Sequence, residues 1–85
     1  MLKIISYDLR KPEQNYEDLI KAIKTYNCRK INKSDWVIWT SSSCKEVRDY
    51  LQKYIDNNDT LFVAKLDKEL SSYGLNSETT EWLKN

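Results

Sequence analysis

The sequence predicts an α+β fold with four strands and two helices in the order β-α-β-β-α-β. Two observations lead to this prediction. Apolar residues alternate with a period of two in separate short segments, as in strands, and recur at helical spacing in two segments between them. The chain has 85 residues, so these elements are expected to form a single domain over residues 1–85.

The first strand is predicted at Leu2–Leu9, where large apolar residues stand on both alternating sides, so both faces should be covered. Pro12 follows and prevents continuation of the strand. Asn15 is a suitable N-cap for a helix that continues to about Asn27. The residues that mark the apolar face of this helix are Tyr16, Leu19, Ile20, Ile23 and Tyr26.

A hairpin is predicted in the middle of the chain. A short strand at Cys28–Asn32 is followed by a turn at Asn32–Ser34 and by the strongest strand signal, Asp35–Thr40. In this strand Trp36 and Ile38 should share one face, and Val37 and Trp39 the other.

The second half of the chain predicts a helix, a fourth strand and a short terminal helix. Ser43 and Glu46 match a capping box, which starts a helix that continues to Ile55. Asp56–Asp59 ends this helix, and Thr60–Leu66 has the alternation of a strand. A short helix is expected in the tail at Glu78–Leu83, anchored by Trp82 and Leu83.

This order is the split βαβ, or ferredoxin-like, arrangement: a four-stranded antiparallel sheet with two helices on one face, plus the short C-terminal helix. Right-handed crossovers would place both helices on that face. The other face would then expose some of Ile5, Tyr7, Trp39 and Phe62, more than a small monomer normally exposes. We expect a second copy, or the C-terminal tail, to cover it, and a homodimer through the open sheet face is the simplest arrangement.

The composition excludes several kinds of site. The chain has no histidine, so Ser–His and Cys–His catalysis and His-ligated metals are excluded. A single glycine excludes glycine-rich phosphate loops. Two cysteines without metal-ligand spacing favour reduced thiols in a cytoplasmic protein. No segment has the length of a membrane span, and the N-terminal segment lacks the pattern of a signal peptide.

Asp8 is the main candidate for chemistry, because it ends the first strand beside basic residues. The net charge is +1, but residues 1–33 carry eight basic and four acidic side chains. A carboxylate at this position could bind Mg²⁺ or Mn²⁺ in contact with a phosphate, while Arg10, Lys11 and Lys33 contact RNA or DNA. The alternative is that Asp8 caps the following loop. Tryptophans near Arg29 and Lys30 are a weaker candidate for base stacking.

Two segments carry a resemblance to a known family. IISYDL at Ile4–Leu9 and KSDWV at Lys33–Val37 resemble the small CRISPR-associated ferredoxin-like nuclease family, which is related to the virulence-associated protein D toxins. The chain is also similar to small bacterial and phage proteins often called SinR-like. The segments that match their pattern are Ile5–Leu9, Asn15–Lys24, Ser34–Trp36, Arg48–Asp49 and Glu81–Leu83.

The resemblance implies a homodimeric endonuclease, with a ribonuclease of the toxin type as a variant. In that family an aspartate at the position of Asp8 faces its copy across the dimer axis and binds one divalent metal that activates water. The family's arginine-rich start of the first helix is replaced here by Tyr16–Asp18. A second hypothesis is therefore a non-catalytic dimeric binding module, encoded by a phage or mobile element, that acts on nucleic acid or on a host protein of antiviral defence.

Overall fold

The computed structural model describes residues 1–10 and 16–84. Over these residues the chain forms four strands and three α-helices, and a short 3₁₀ turn at Gln52–Tyr54 extends the second helix. The elements are β1 (Leu2–Asp8), α1 (Glu17–Ile23), β2 (Asn27–Asn32), β3 (Asp35–Trp39), α2 (Cys44–Leu51), β4 (Thr60–Lys65) and α3 (Ser77–Lys84). The predicted α+β class with a four-stranded antiparallel sheet is confirmed.

The strands pair in the order β2-β3-β1-β4, and each neighbouring pair is antiparallel. Because β1 and β2 are both antiparallel to β3, they run in the same direction and lie on either side of it. In the same way β3 and β4 flank β1. Each β-α-β unit therefore encloses one strand of the other unit, and β1 lies at the centre with a partner on each edge, as in the pairing of Ile5 with Trp36 and Val63.

The first face of the sheet forms the main core together with α1 and α2. Ile5 and Ile38 are fully buried there, and the Trp36 Nε1–H donates a 3.1 Å hydrogen bond to the Tyr7 hydroxyl. This bond satisfies the indole N–H in a buried position, where an unpaired donor would be costly. The helix residues of the same core are Leu19, Ala22, Ile23, Val47 and Leu51.

The prediction that Ile5 and Tyr7 could belong to the uncovered face is wrong. Side chains alternate across a strand, so only one of the two sets of β1 can face the helices. The helices cover the set that contains Ile5 and Tyr7, while Ile4, Ser6 and Asp8 lie on the second face. The separation of Trp36 and Ile38 from Val37 and Trp39 is confirmed.

The C-terminal tail covers part of the second face. Trp82 of α3 is buried there with Leu2 and Val37. The Trp39 ring meets the Trp82 ring edge-on at 6.2 Å, and the Trp39 Nε1–H donates to the Trp82 carbonyl at 3.4 Å. The Trp82 Nε1–H donates to the Asn27 Oδ1 at 3.0 Å, which ties the tail to β2 at the edge of the sheet.

The helix boundaries differ in part from those expected. The capping box is confirmed, because the Glu46 N–H donates to the Ser43 Oγ at 3.0 Å and the Ser43 N–H donates to the Glu46 Oε1 at 2.9 Å. These bonds lower the pKa of the Glu46 carboxyl. The expected end at Ile55 is wrong, since α2 ends at Leu51 and Ile55 is extended.

Among the described residues, no helix is long and apolar enough to cross a membrane.

The first helix also ends earlier than predicted. α1 stops at Ile23, and the Thr25 and Tyr26 N–H groups donate to the carbonyls of Ala22 and Ile23 in a tight turn. Asn27 is consequently the first residue of β2 rather than the end of the helix. The predicted cap, Asn15, lies outside the described residues.

We predict that Trp82→Ala lowers the free energy of unfolding by about 3 kcal/mol, because it removes the buried ring and two indole contacts that hold the tail on the sheet. Tyr73→Ala is the matched control, since this aromatic side chain is fully exposed and its loss should change stability by less than about 0.5 kcal/mol. Urea unfolding followed by circular dichroism measures both. Equal stability of Trp82→Ala and the parent protein would contradict the docking of the tail.

Candidate functional site

Asp8, the last residue of β1, has an accessible carboxylate. Its side chain is 70% exposed, and its Oδ2 lies 3.6 Å from the Arg10 Nε. An ion pair this exposed contributes about 0–1 kcal/mol. A ligand that separates Asp8 from Arg10 would therefore cost little interaction free energy. Both charged groups are accessible for binding.

Those of the predicted basic residues that the structure describes lie at the same end of the sheet as Asp8. The Tyr7 N–H donates to the Ser34 carbonyl at 3.1 Å, which brings the β2–β3 turn beside the end of β1. Lys33 is exposed in this turn. Lys11 lies outside the described residues. Arg10 and the turn that carries Lys33 thus both lie at the end of the strand that carries Asp8.

Asp59 has a structural role at this end of the sheet. Its Oδ1 accepts a 2.8 Å hydrogen bond from the Arg10 N–H, and its Oδ2 accepts another at 2.8 Å from the Asp56 N–H. The Tyr16 hydroxyl donates to both oxygens at 3.2 Å. The carboxylate therefore joins the exit of β1, the start of α1 and the loop before β4.

Among the described residues, Asp8 does not belong to a group of metal-ligating side chains. Within residues 1–10 and 16–84, no three or more Asp, Glu, Cys or His side chains come together in a way that could hold a metal ion. Asp8 supplies one carboxylate, and the neighbouring Asp59 accepts hydrogen bonds from two backbone N–H groups and a hydroxyl.

The second face of the sheet is only half covered. We call the part formed by Ser6, Asp8, Asp35 and Phe62 the open half-face. Ser6 pairs with Asp35 on one side and with Phe62 on the other, so these side chains lie next to Asp8 on one surface. Phe62 is 60% exposed although it lies on a sheet strand. The open half-face thus joins an exposed aromatic ring and an exposed carboxylate.

Of the tryptophans near the basic strand β2, Trp39 is partly buried. Trp36 and Trp82 are both buried. The Arg29 guanidinium lies 5.4 Å from the Trp82 ring, and the Lys30 ammonium lies 5.8 Å from the Trp36 ring. In these cation–π contacts the protein's own Arg29 and Lys30 side chains lie against the two aromatic rings.

No protein-family model matches the chain. The resemblance of Ile4–Leu9 and Lys33–Val37 to the CRISPR-associated nuclease family therefore remains a hypothesis carried by those segments.

Sequence reasoning missed the role of Asp59 at the site. Asp59 appeared only as part of an Asp/Asn run that ends a helix, and its partners Arg10 and Tyr16 are more than 40 residues away in sequence. The local signal indicates a turn, but nothing in the sequence identifies the distant donors.

We predict that Asp59→Ala lowers the free energy of unfolding by about 2 kcal/mol, because the backbone N–H groups of Arg10 and Asp56 and the Tyr16 hydroxyl lose a charged acceptor. Asp67→Ala is the control, since Asp67 is exposed and accepts a bond only from the adjacent Lys68 N–H among the described contacts. Thermal and urea unfolding measure the difference. If the two variants are equally stable, Asp59 does not hold these segments together.

Proposed function

We propose that the chain is a ferredoxin-like protein related to the small CRISPR-associated nuclease subunit, and that it acts as a homodimeric, divalent-metal-dependent ribonuclease or nuclease. Asp8 of each copy lies at the dimer axis and binds the metal. The observation that carries this proposal is the position of the accessible Asp8 carboxylate beside exposed Phe62 on the same half of the sheet.

The strand order supports the ferredoxin-like assignment. Counted from the opposite edge, β2-β3-β1-β4 becomes β4-β1-β3-β2, in which each β-α-β unit encloses one strand of the other. Both helices that connect these strands contribute to the core on the first face. The addition to this arrangement is α3, which covers half of the second face.

Exposed apolar surface supports the homodimer. α3 leaves the open half-face uncovered, with Phe62 on it 60% exposed. Burying a phenylalanine side chain stabilises an association by about 1.5–3 kcal/mol. In a symmetric dimer each copy contributes the same patch, so the ring is buried twice. Asp8, at one end of this patch, is then brought toward its copy.

The chemistry of Asp8 fits Mg²⁺ or Mn²⁺. Both ions prefer carboxylate oxygens, and Mg²⁺ is commonly held by one or two carboxylates together with water and substrate phosphate. The two Asp8 side chains of a dimer provide that set. An ion bound there would activate water for attack on a phosphodiester bond. Arg10 and Lys33 contact the phosphates of RNA or DNA, as the sequence also predicts for Lys11.

The cysteines support a cytoplasmic location as part of this proposal. Cys28 and Cys44 are free and partly buried. Burial raises the pKa of the Cys28 thiol, which keeps it protonated and unreactive. Unpaired thiols are usual in a reducing compartment.

A second candidate function is a non-catalytic dimeric binding module, encoded by a phage or mobile element, that binds nucleic acid or a host defence protein. The observation in its favour is that Asp8 already has Arg10 as a partner and belongs to no cluster of acidic side chains in the described part of the chain. In this hypothesis the Asp8–Arg10 pair orients the loop after β1.

We predict that the protein is a dimer at micromolar concentration and that Phe62→Lys converts it to a monomer, because two buried ammonium groups would face each other across the interface. Tyr73→Lys replaces a fully exposed aromatic residue outside the open half-face and should leave the dimer unchanged. Light scattering coupled to gel filtration gives the masses. A monomeric parent protein would contradict the dimer.

We predict that the parent protein cleaves labelled single-stranded RNA or duplex DNA in the presence of Mg²⁺ or Mn²⁺. Asp8→Asn should reduce the rate by about 100-fold or more, because it removes the charged metal ligand from both copies. Asp67→Asn, which neutralises an exposed carboxylate outside the open half-face, should cleave at the parental rate. Gel assays with each nucleic acid and each ion measure these rates.

Each result separates the hypotheses. Undiminished cleavage by Asp8→Asn would show that Asp8 is not the metal ligand. If the parent protein cleaves no substrate but shifts one of them in a gel, the binding module is supported and the nuclease is rejected. Light scattering of Asp8→Asn verifies that the variant keeps the oligomeric state of the parent.

A further inference from the structure

We propose that a cavity beneath the C-terminal tail binds a small amphipathic anion, with an apolar chain and a carboxylate head. The cavity lies at the Leu2 end of β1, opposite the end that carries Asp8, and belongs to neither of the functions proposed above. Its volume is about 570 Å³, within the usual range for small-molecule sites. The lining residues are Leu2, Trp39, Lys68, Leu70, Ser71, Ser72, Thr80, Leu83 and Lys84.

The apolar lining of the cavity comes from the sheet, from α3 and from the segment between β4 and α3. Leu2 of β1 and Trp39 of β3 contribute from the sheet, Leu83 contributes from α3, and Leu70 lines the cavity from the segment that connects β4 to α3. Leu70 is 40% exposed even though it lines this concave surface. An aliphatic chain in the cavity would remove apolar area from water at about 25 cal/mol per Å².

The space available suits an extended ligand. A second cavity of about 330 Å³ shares Leu2, Trp39 and Lys68 with the first and reaches Met1 and Leu66. The two cavities thus border the same three residues. An elongated chain can follow this surface from α3 toward the end of β4, whereas a compact ligand would fill only one part.

Charge around the cavity selects an anion. Lys68 and Lys84 line it. In the described residues no carboxylate lies within ion-pair distance of the Lys68 ammonium. Among the same residues, the Lys84 ammonium has one ion-pair contact, an exposed one with Glu81 at 3.9 Å.

Acidic residues also lie close to these lysines, since Glu81 contacts Lys84 and Asp67 directly precedes Lys68. Asp67 lines the adjoining cavity, where its Oδ1 accepts a hydrogen bond from the Lys68 N–H at 2.7 Å. Among the described residues, two lysines and no acidic residue line the main cavity. The hydroxyl groups of Ser71, Ser72 and Thr80 add neutral donors for the oxygens of a carboxylate.

Decanoate and decanol test this proposal, because they share an apolar chain and differ in the charge of the head group. The readout is the indole N–H signals of the three tryptophans in ¹H–¹⁵N spectra. Decanoate should shift the Trp39 signal saturably, while Trp36, which lies on the opposite face and donates to Tyr7, serves as an internal control. Decanol should bind about tenfold more weakly, as expected for the loss of contacts to two exposed lysines.

Variants locate the charge recognition. Lys68→Met combined with Lys84→Met should weaken decanoate binding about tenfold and leave decanol binding unchanged. Lys45→Met combined with Lys53→Met, two exposed lysines outside the cavity, should bind decanoate like the parent protein. The absence of a saturable Trp39 shift, or equal shifts of Trp36 and Trp39, would overturn the site. Equal affinity for decanoate in the Lys68/Lys84 variant would overturn the recognition of the anion.

Discussion

The structure depends on a central strand that is apolar on both sides. β1 has a partner strand on each edge, so its backbone is fully paired, and its side chains must be covered from two directions. Ile5 and Tyr7 require the two helices on one face, and Leu2 and Ile4 require a cover on the other. Exposed apolar area costs about 25 cal/mol per Å², which makes a bare second face unfavourable for a domain of this size.

The cover on the second face is shorter than the strand beneath it. α3 has eight residues, and Trp82 buries itself near Leu2 at one end of β1, where the Trp39 and Trp82 rings meet. The other end keeps Asp8 and Phe62 accessible. One face of the sheet is therefore divided into a covered half, with a cavity between the tail and the sheet, and an open half that ends in a carboxylate.

The strands and the faces of their side chains could be predicted because they follow from local patterns. Alternation separated Trp36 from Trp39, and the Ser43–Glu46 pair identified the start of α2. The burial of Lys3, which is only 4% exposed, was not predicted. The predicted helix at Glu78–Leu83 is confirmed as part of α3.

The remaining features depend on contacts between distant residues. The pattern left a second copy and the tail as alternatives for covering the second face, because the docking of Trp82 on Asn27 joins residues 55 positions apart. The role of Asp59 likewise depends on Arg10, 49 positions away. The candidate site was predictable only as far as the end of β1: Asp8, Arg10 and Lys33 share that end, but the sequence could not say which carboxylate is accessible and which is structural.

The proposed metal and the proposed dimer depend on each other energetically. Two Asp8 carboxylates brought close together repel, which weakens a dimer that has no counter-charge between them. A divalent cation between them offsets this repulsion, and its own affinity rises because a second carboxylate becomes available. By linkage, the factor by which the metal strengthens association equals the factor by which association strengthens metal binding. The Asp8–Arg10 contact fits this scheme, because an exposed pair of about 0–1 kcal/mol neutralises the carboxylate in the single chain and yields readily to a stronger ligand.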